Sequence, residues 1–214
     1  MTEDDPVFDD NFRARLRELF AWRRDVRRFR TDPLPADLVR DLIEAACLAP
    51  SVGLSQPWRF VLVEDEGRRG AIIENFNRCN REALETYGPD RAGLYARLKL
   101  AGLVEAPCHL AIFADEATPS GHGLGRRTMP EMLLYSVVTA IANLWLAARA
   151  AGVGMGWVSV LEPGRVSEVL DTPPAWRLIG YFCLGYPDAA SDTPELETEG
   201  WERRCSGDAF IVVR

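Results

Sequence analysis

Five arginines fall within eight residues, Arg23-Arg24-Asp25-Val26-Arg27-Arg28-Phe29-Arg30, in a chain whose net charge is −7. Guanidinium forks match the oxygens of phosphate and carboxylate, so the cluster reads as an anion site. The competing reading is a solvated charged turn, because arginine is abundant throughout and Lys99 is the sole lysine. Asp25 is the one acid inside the cluster. A carboxylate held against a bound ligand can serve as general base or acid. The arginines should lower its pKa while burial raises it, and the sequence leaves the direction open. Arg203-Arg204 forms a second basic pair near the C-terminus. On an acidic tail two arginines are ordinarily surface charges. They become a phosphate clamp only if the tail folds back.

Two further segments carry small polar or flexible residues. Ala49-Pro50-Ser51-Val52-Gly53-Leu54-Ser55-Gln56-Pro57-Trp58 is a loop fixed at both ends by proline. Gly152-Val153-Gly154-Met155-Gly156-Trp157-Val158-Ser159 resembles a dinucleotide loop in spacing. Its glycines follow a helix and open a strand, the reverse of the dinucleotide-binding order, so that reading is rejected. Ser159 offers one hydroxyl to a ligand; otherwise it is a satisfied strand serine. No P-loop or G-x-S-x-G occurs, and two histidines give little support to a hydrolase triad.

The bulk numbers narrow the class. The 214 residues suffice for one domain with a full core, and 47% apolar with 27% charged is ordinary for a globular protein. An acidic chain argues against nucleic acid. Five widely spaced cysteines without C-x-x-C argue against disulfides and zinc, so no metal is expected and a reducing cytoplasm fits. The uncharged run from residue 132 to 148 is shorter than a bilayer span and reads as a buried helix, not a membrane segment.

Positioning these groups requires an α+β arrangement. Helical spacing predicts helices over about 12–22, 38–46, 68–86, 131–151 and 164–170, with an amphipathic stretch over 94–104. Strands are expected at 58–64, 108–114, 157–161 and 178–184. Residues 87–98, with Gly88 and Gly93, form a candidate lid. We read one domain over 1–214, with an N-terminal extension at 1–10 and a C-terminal arm at 187–214. A free arm would lose much conformational entropy for little burial, which favours its wrapping a second subunit.

Taken in order from about Phe12 to Arg204, these segments resemble the FMN-dependent nitroreductase superfamily. The resemblance implies a central mixed or antiparallel sheet flanked by helices, in an intertwined homodimer with FMN at the interface. It assigns Arg23, Arg24, Asp25, Val26 and Arg27 to the flavin phosphate and pyrimidine edge. Pro50, Ser51 and Leu54 match the loop lent by the other subunit, Lys99 a polar contact, and Arg203 with Arg204 the C-terminal phosphate contact. Asp25 stands where ordinary nitroreductases commonly have serine. With Trp157-Val158-Ser159-Val160 and Leu98-Lys99-Leu100-Ala101-Gly102-Leu103, it is similar to the flavin destructases. That family uses O2 to fragment reduced FMN to 5,6-dimethylbenzimidazole and erythrose 4-phosphate, in making the lower ligand of cobalamin. Asp25 and Ser159 would then be catalytic, and a separate NAD(P)H-dependent flavin reductase would supply reduced FMN. The alternative is an NAD(P)H-dependent nitroreductase or quinone reductase that retains its FMN. The ending after Arg204 departs from the acidic, leucine-containing tail expected of the family, which puts the tail's path in question.

Overall fold

Four strands form one antiparallel sheet: β1 (Trp58–Leu62), β2 (Cys108–Asp115), β3 (Gly154–Val158) and β4 (Trp176–Gly185). Their order is β1-β2-β4-β3. The computed structural model describes residues 6–214; residues 1–5 of the expected N-terminal extension lie outside the described residues. Around the sheet run α1 (Asp10–Trp22), α2 (Ala36–Cys47), α3 (Glu66–Glu85), α4 (Pro89–Tyr95), α5 (Met132–Ala150), α6 (Pro163–Leu170) and α7 (Glu195–Thr198).

Alternation along a strand sends neighbouring side chains to opposite faces. In β2, Leu110 and Ile112 join Leu42, Val137, Ile141 and Leu144 from α2 and α5. Ala111 and Phe113 join Ile72 of α3, Val166 of α6 and Tyr181 of β4 on the other face. Both faces are therefore covered, which is why the middle of β2, Leu110 to Ala114, reads as an unbroken apolar run. The helix α5 is long and apolar enough by composition to cross a membrane. In this fold Val137, Ala140, Ile141 and Leu144 pack into the core, while Tyr135 and Val138 stay exposed. His109, wholly buried in β2, shares a 2.9 Å hydrogen bond with the Tyr181 hydroxyl. Burial, more than the nearby Arg69, lowers its pKa to about 4.

The expected elements appear, with three differences. The third strand is 154–158, not 157–161, so its glycines lie within the strand and Ser159 just past its end. The amphipathic stretch 94–104 is helical only to Tyr95 and then turns. Gly102 explains the break: it lies against the Phe29 ring and the Arg27 carbonyl, where a Cβ would overlap the ring. Gly93 falls inside α4, so Gly88, the N-cap residue, is the sole glycine at that helix's boundary.

Candidate active site

The arginine segment lies beside β3 as a short parallel extension of the sheet. Asp25 pairs with Met155, and the Val26 amide donates to the Met155 carbonyl at 3.0 Å. This approach requires glycine in the strand. A Cβ on Gly156 would overlap the Val26 carbonyl oxygen, and one on Gly154 would sit 3.0 Å from the Val26 side chain. The glycine run is thus a docking surface for the arginine segment, for a packing reason that its spacing alone does not reveal.

Asp25 has both oxygens engaged. Oδ1 accepts from the Trp157 amide at 2.8 Å, and Oδ2 accepts from Arg27 Nε at 2.9 Å. About a third of its side chain remains exposed. Arg27 also donates from Nη1 to the Lys99 carbonyl at 3.0 Å. The Lys99 ammonium itself pairs with Glu105.

The tail folds back on its own chain. Pro187 pairs with Phe29, and Arg24 donates through Nε to the Asp192 carbonyl at 2.8 Å. Arg28 reaches Glu195 at 3.6 Å. The result is a cleft of about 160 Å³ walled by Arg23, Arg24, Asp25, Arg27, Glu195 and Arg204. Burial first, and Arg204 second, lower the pKa of Arg23, with Asp25 opposing. Burial, Arg204 and Arg23 do the same to Arg24, opposed by Asp192 and Glu197. Arg204 set close to Arg23 and Arg24 makes a positive field that a bound anion relieves. The donor set therefore fits the phosphate of FMN. A larger cavity of about 300 Å³ shares the arginine segment as a wall and runs to Trp22, Trp145 and Met155. That is the lower end of the size usual for small-molecule pockets.

The remaining expected residues lie elsewhere. Arg203 does not line the cleft; its amide bonds the Glu202 carboxylate. Val26 lines the larger cavity. Ser159 is exposed beyond β3. About 6–7 Å along the chain separates its Cα from that of Trp157, whose amide holds Asp25. The loop 50–57 packs on α5: Thr139 donates to the Pro50 carbonyl at 2.9 Å, and the Ser51 hydroxyl accepts from the Gln56 amide at 3.1 Å. Leu54 is 72% exposed at a φ of 55°, displayed outward from the chain. Pro50, Ser51 and Leu54 line neither arginine-walled cavity.

Sequence reading missed Trp145 and Trp201. The Trp145 indole donates to the Arg24 carbonyl at 3.1 Å, and the Arg23 guanidinium lies 4.7 Å from its ring centroid. An indole N–H inside an apolar helix needs an acceptor, and that was the available signal.

The chain belongs to the nitroreductase family, whose model matches residues 20–186. Within that family it is 56% identical over 199 residues to the 5,6-dimethylbenzimidazole synthase of Rhodospirillum rubrum, covering 93% of this chain and 94% of that one. It is 42% identical over 195 residues to the 5,6-dimethylbenzimidazole synthase of Rhodobacter capsulatus, covering 91% and 94%. Among solved structures, iodotyrosine deiodinase bound to FMN and 3-iodo-L-tyrosine superposes with a TM-score of 0.73 at 27% identity, covering 93% and 97% of the two chains. A BluB-like flavoprotein from Clostridium difficile shares the fold with a TM-score of 0.70 at 19% identity, covering 93% and 98%. The expected α+β nitroreductase-like fold, an antiparallel sheet flanked by helices, is the fold observed.

Proposed function

We propose that this protein is a flavin destructase, converting reduced FMN and O2 to 5,6-dimethylbenzimidazole and erythrose 4-phosphate. The observation that carries the reading is Asp25. It is a carboxylate fixed by the Trp157 amide and Arg27 at the wall of an arginine cleft, in a chain 56% identical to a 5,6-dimethylbenzimidazole synthase.

Reduced flavin supplies the electrons for O2 and is itself the molecule consumed. The chain's own residues do the rest. Arg23, Arg24, Arg27 and Arg204 hold the phosphate. Asp25, with its two oxygens held at fixed donors, takes or returns a proton at the ribityl end of the flavin. Arg27 does two jobs, since it orients Asp25 and ties the segment carrying Lys99 to the cleft. The Ser159 hydroxyl, two residues past the Trp157 amide that anchors Asp25, hydrogen-bonds the flavin edge. A homodimer completes the site: the loop bearing Pro50, Ser51 and Leu54 covers the flavin of the partner and excludes water. A separate NAD(P)H-dependent reductase delivers the reduced flavin.

The test is to mix the purified protein with photoreduced FMN, admit air and analyse the products by mass spectrometry. Dimethylbenzimidazole with matching flavin loss is the expected result. Full recovery of oxidised FMN with peroxide would overturn it, and rapid NADH oxidation with a nitroaromatic acceptor would establish the nitroreductase instead.

A further inference from the structure

Arg204 stands on a tail whose final residues, 202 to 214, are all exposed. Nothing local to Arg204 explains why it lines the arginine cleft. The explanation lies three to four residues earlier, at Gly200 and Trp201. Gly200, at a φ of 76°, ends α7 in the left-handed region that favours glycine. The Trp201 amide then closes the turn on the Leu196 carbonyl at 2.8 Å. That turn delivers the Trp201 indole to α4.

The landing place is built from aromatic rings. Trp201 meets Tyr87 edge-on, with centroids 5.6 Å apart, and Tyr95 at 6.3 Å. Arg91 holds Trp201 twice: its guanidinium sits 5.0 Å from the ring centroid, and Nη1 donates to the Trp201 carbonyl at 3.1 Å. Tyr95 is itself tied to α3, donating its hydroxyl to Asn80 at 2.8 Å. At the tail's other end, Arg24 and Arg28 hold Asp192 and Glu195. The segment 192–201 is therefore pinned at both ends, and Arg204 leaves the second pin.

We propose that Trp201 is a positioning residue for the phosphate site: by docking on Tyr87, Tyr95 and Arg91 it sets Arg204 in the arginine cleft. The inference rests on the reading that this cleft holds a flavin phosphate. Without the dock, Arg204 would ride on a free chain end, and its effective concentration at the cleft would fall. Ordering the tail would then be charged to each binding event. Trp201 touches no substrate in this scheme; it acts through Arg204, and it also links phosphate occupancy to α4, the expected lid.

Calorimetric titration of the full-length protein with FMN, and with riboflavin, which lacks the phosphate, tests this. Trp201→Ala should weaken FMN roughly tenfold, the scale of one charge-assisted contact. Riboflavin affinity should hold within about twofold. Trp201→Phe should restore most of the FMN affinity, and in an Arg204→Ala background Trp201→Ala should cost nothing further. Equal loss for both ligands, an undiminished loss in that background, or FMN binding by Trp201→Ala equal to wild type would each overturn the inference alone. Wild-type protein that binds FMN no better than riboflavin would overturn the phosphate reading and this inference with it. Should Trp201→Ala fail to fold, Arg91→Ala loosens the same dock from the surface. It should give a smaller loss confined to FMN, and an unselective loss would again overturn the inference.

Discussion

Asp25 divides its two oxygens between a backbone amide and a guanidinium. Asparagine in its place keeps an oxygen for the Trp157 amide but turns a donor toward Arg27. The geometry should survive and the proton-transfer capacity should not. Asp25→Asn is thus expected to cut benzimidazole formation roughly 10²–10⁴-fold. FMN affinity should stay within about threefold. Product analysis and calorimetry on the same preparation check both; equal loss of binding and product would make Asp25 a binding residue only. At this scale the sequence was informative where charge was unusual. Arginines crowded around one acid in an acidic chain pointed to the segment that walls the arginine cleft. Trp145 signalled only that its indole needs an acceptor, and Trp201 signalled nothing; the partner of each lies more than a hundred residues away.

Gly154 and Gly156 show what a strand can do without side chains. They let the backbone of the arginine segment approach β3, and Val26 occupies the space that two Cβ atoms would need. Gly156→Ala should push that segment off the strand. The expected cost is roughly 1–3 kcal/mol of stability, the range for overpacked sites. Chemical denaturation measures that term, and a parallel FMN titration should reveal at least a roughly tenfold weaker site. A stable variant with normal FMN affinity would mean that the segment is held by its tail contacts instead. Elements with strong periodicity, such as α2 and α5, were predicted within two or three residues. The third strand was displaced because glycine carries no apolar signal, and its reason for being in a strand sits at Val26, far away in the chain. The stretch after Tyr95 has helical periodicity, but Gly102 lies so tightly against Phe29 that tertiary packing overrides it.

The whole molecule leaves apolar surface uncovered. In α1 no residue is buried, and Phe20, Leu54, Tyr135 and Val138 are all exposed by 42% or more. A second copy is the occupant that the proposed site requires, since Leu54 faces away from its own arginines. Sedimentation at micromolar concentration should give twice the chain mass, and Val138→Asp should shift it toward the single chain with parallel loss of FMN binding. A monomer that binds FMN fully would contradict the shared site. The α+β class and the basic cleft were readable from sequence because they depend on patterning and charge. The path of the tail was not, because it depends on pairings at Phe29, Arg24 and α4 that a linear pattern does not encode.

Lys99 has a consequence of a different kind. As the only lysine, it gives a lysine-specific protease a single place to cut, in the turns between α4 and β2. The carbonyl on that bond is held by Arg27 and the ammonium by Glu105. Hydrolysis therefore waits for this connection to open. One cut detaches β1 from β2 and β4 in sequence, so two fragments on a gel become a clock for how often the connection lets go.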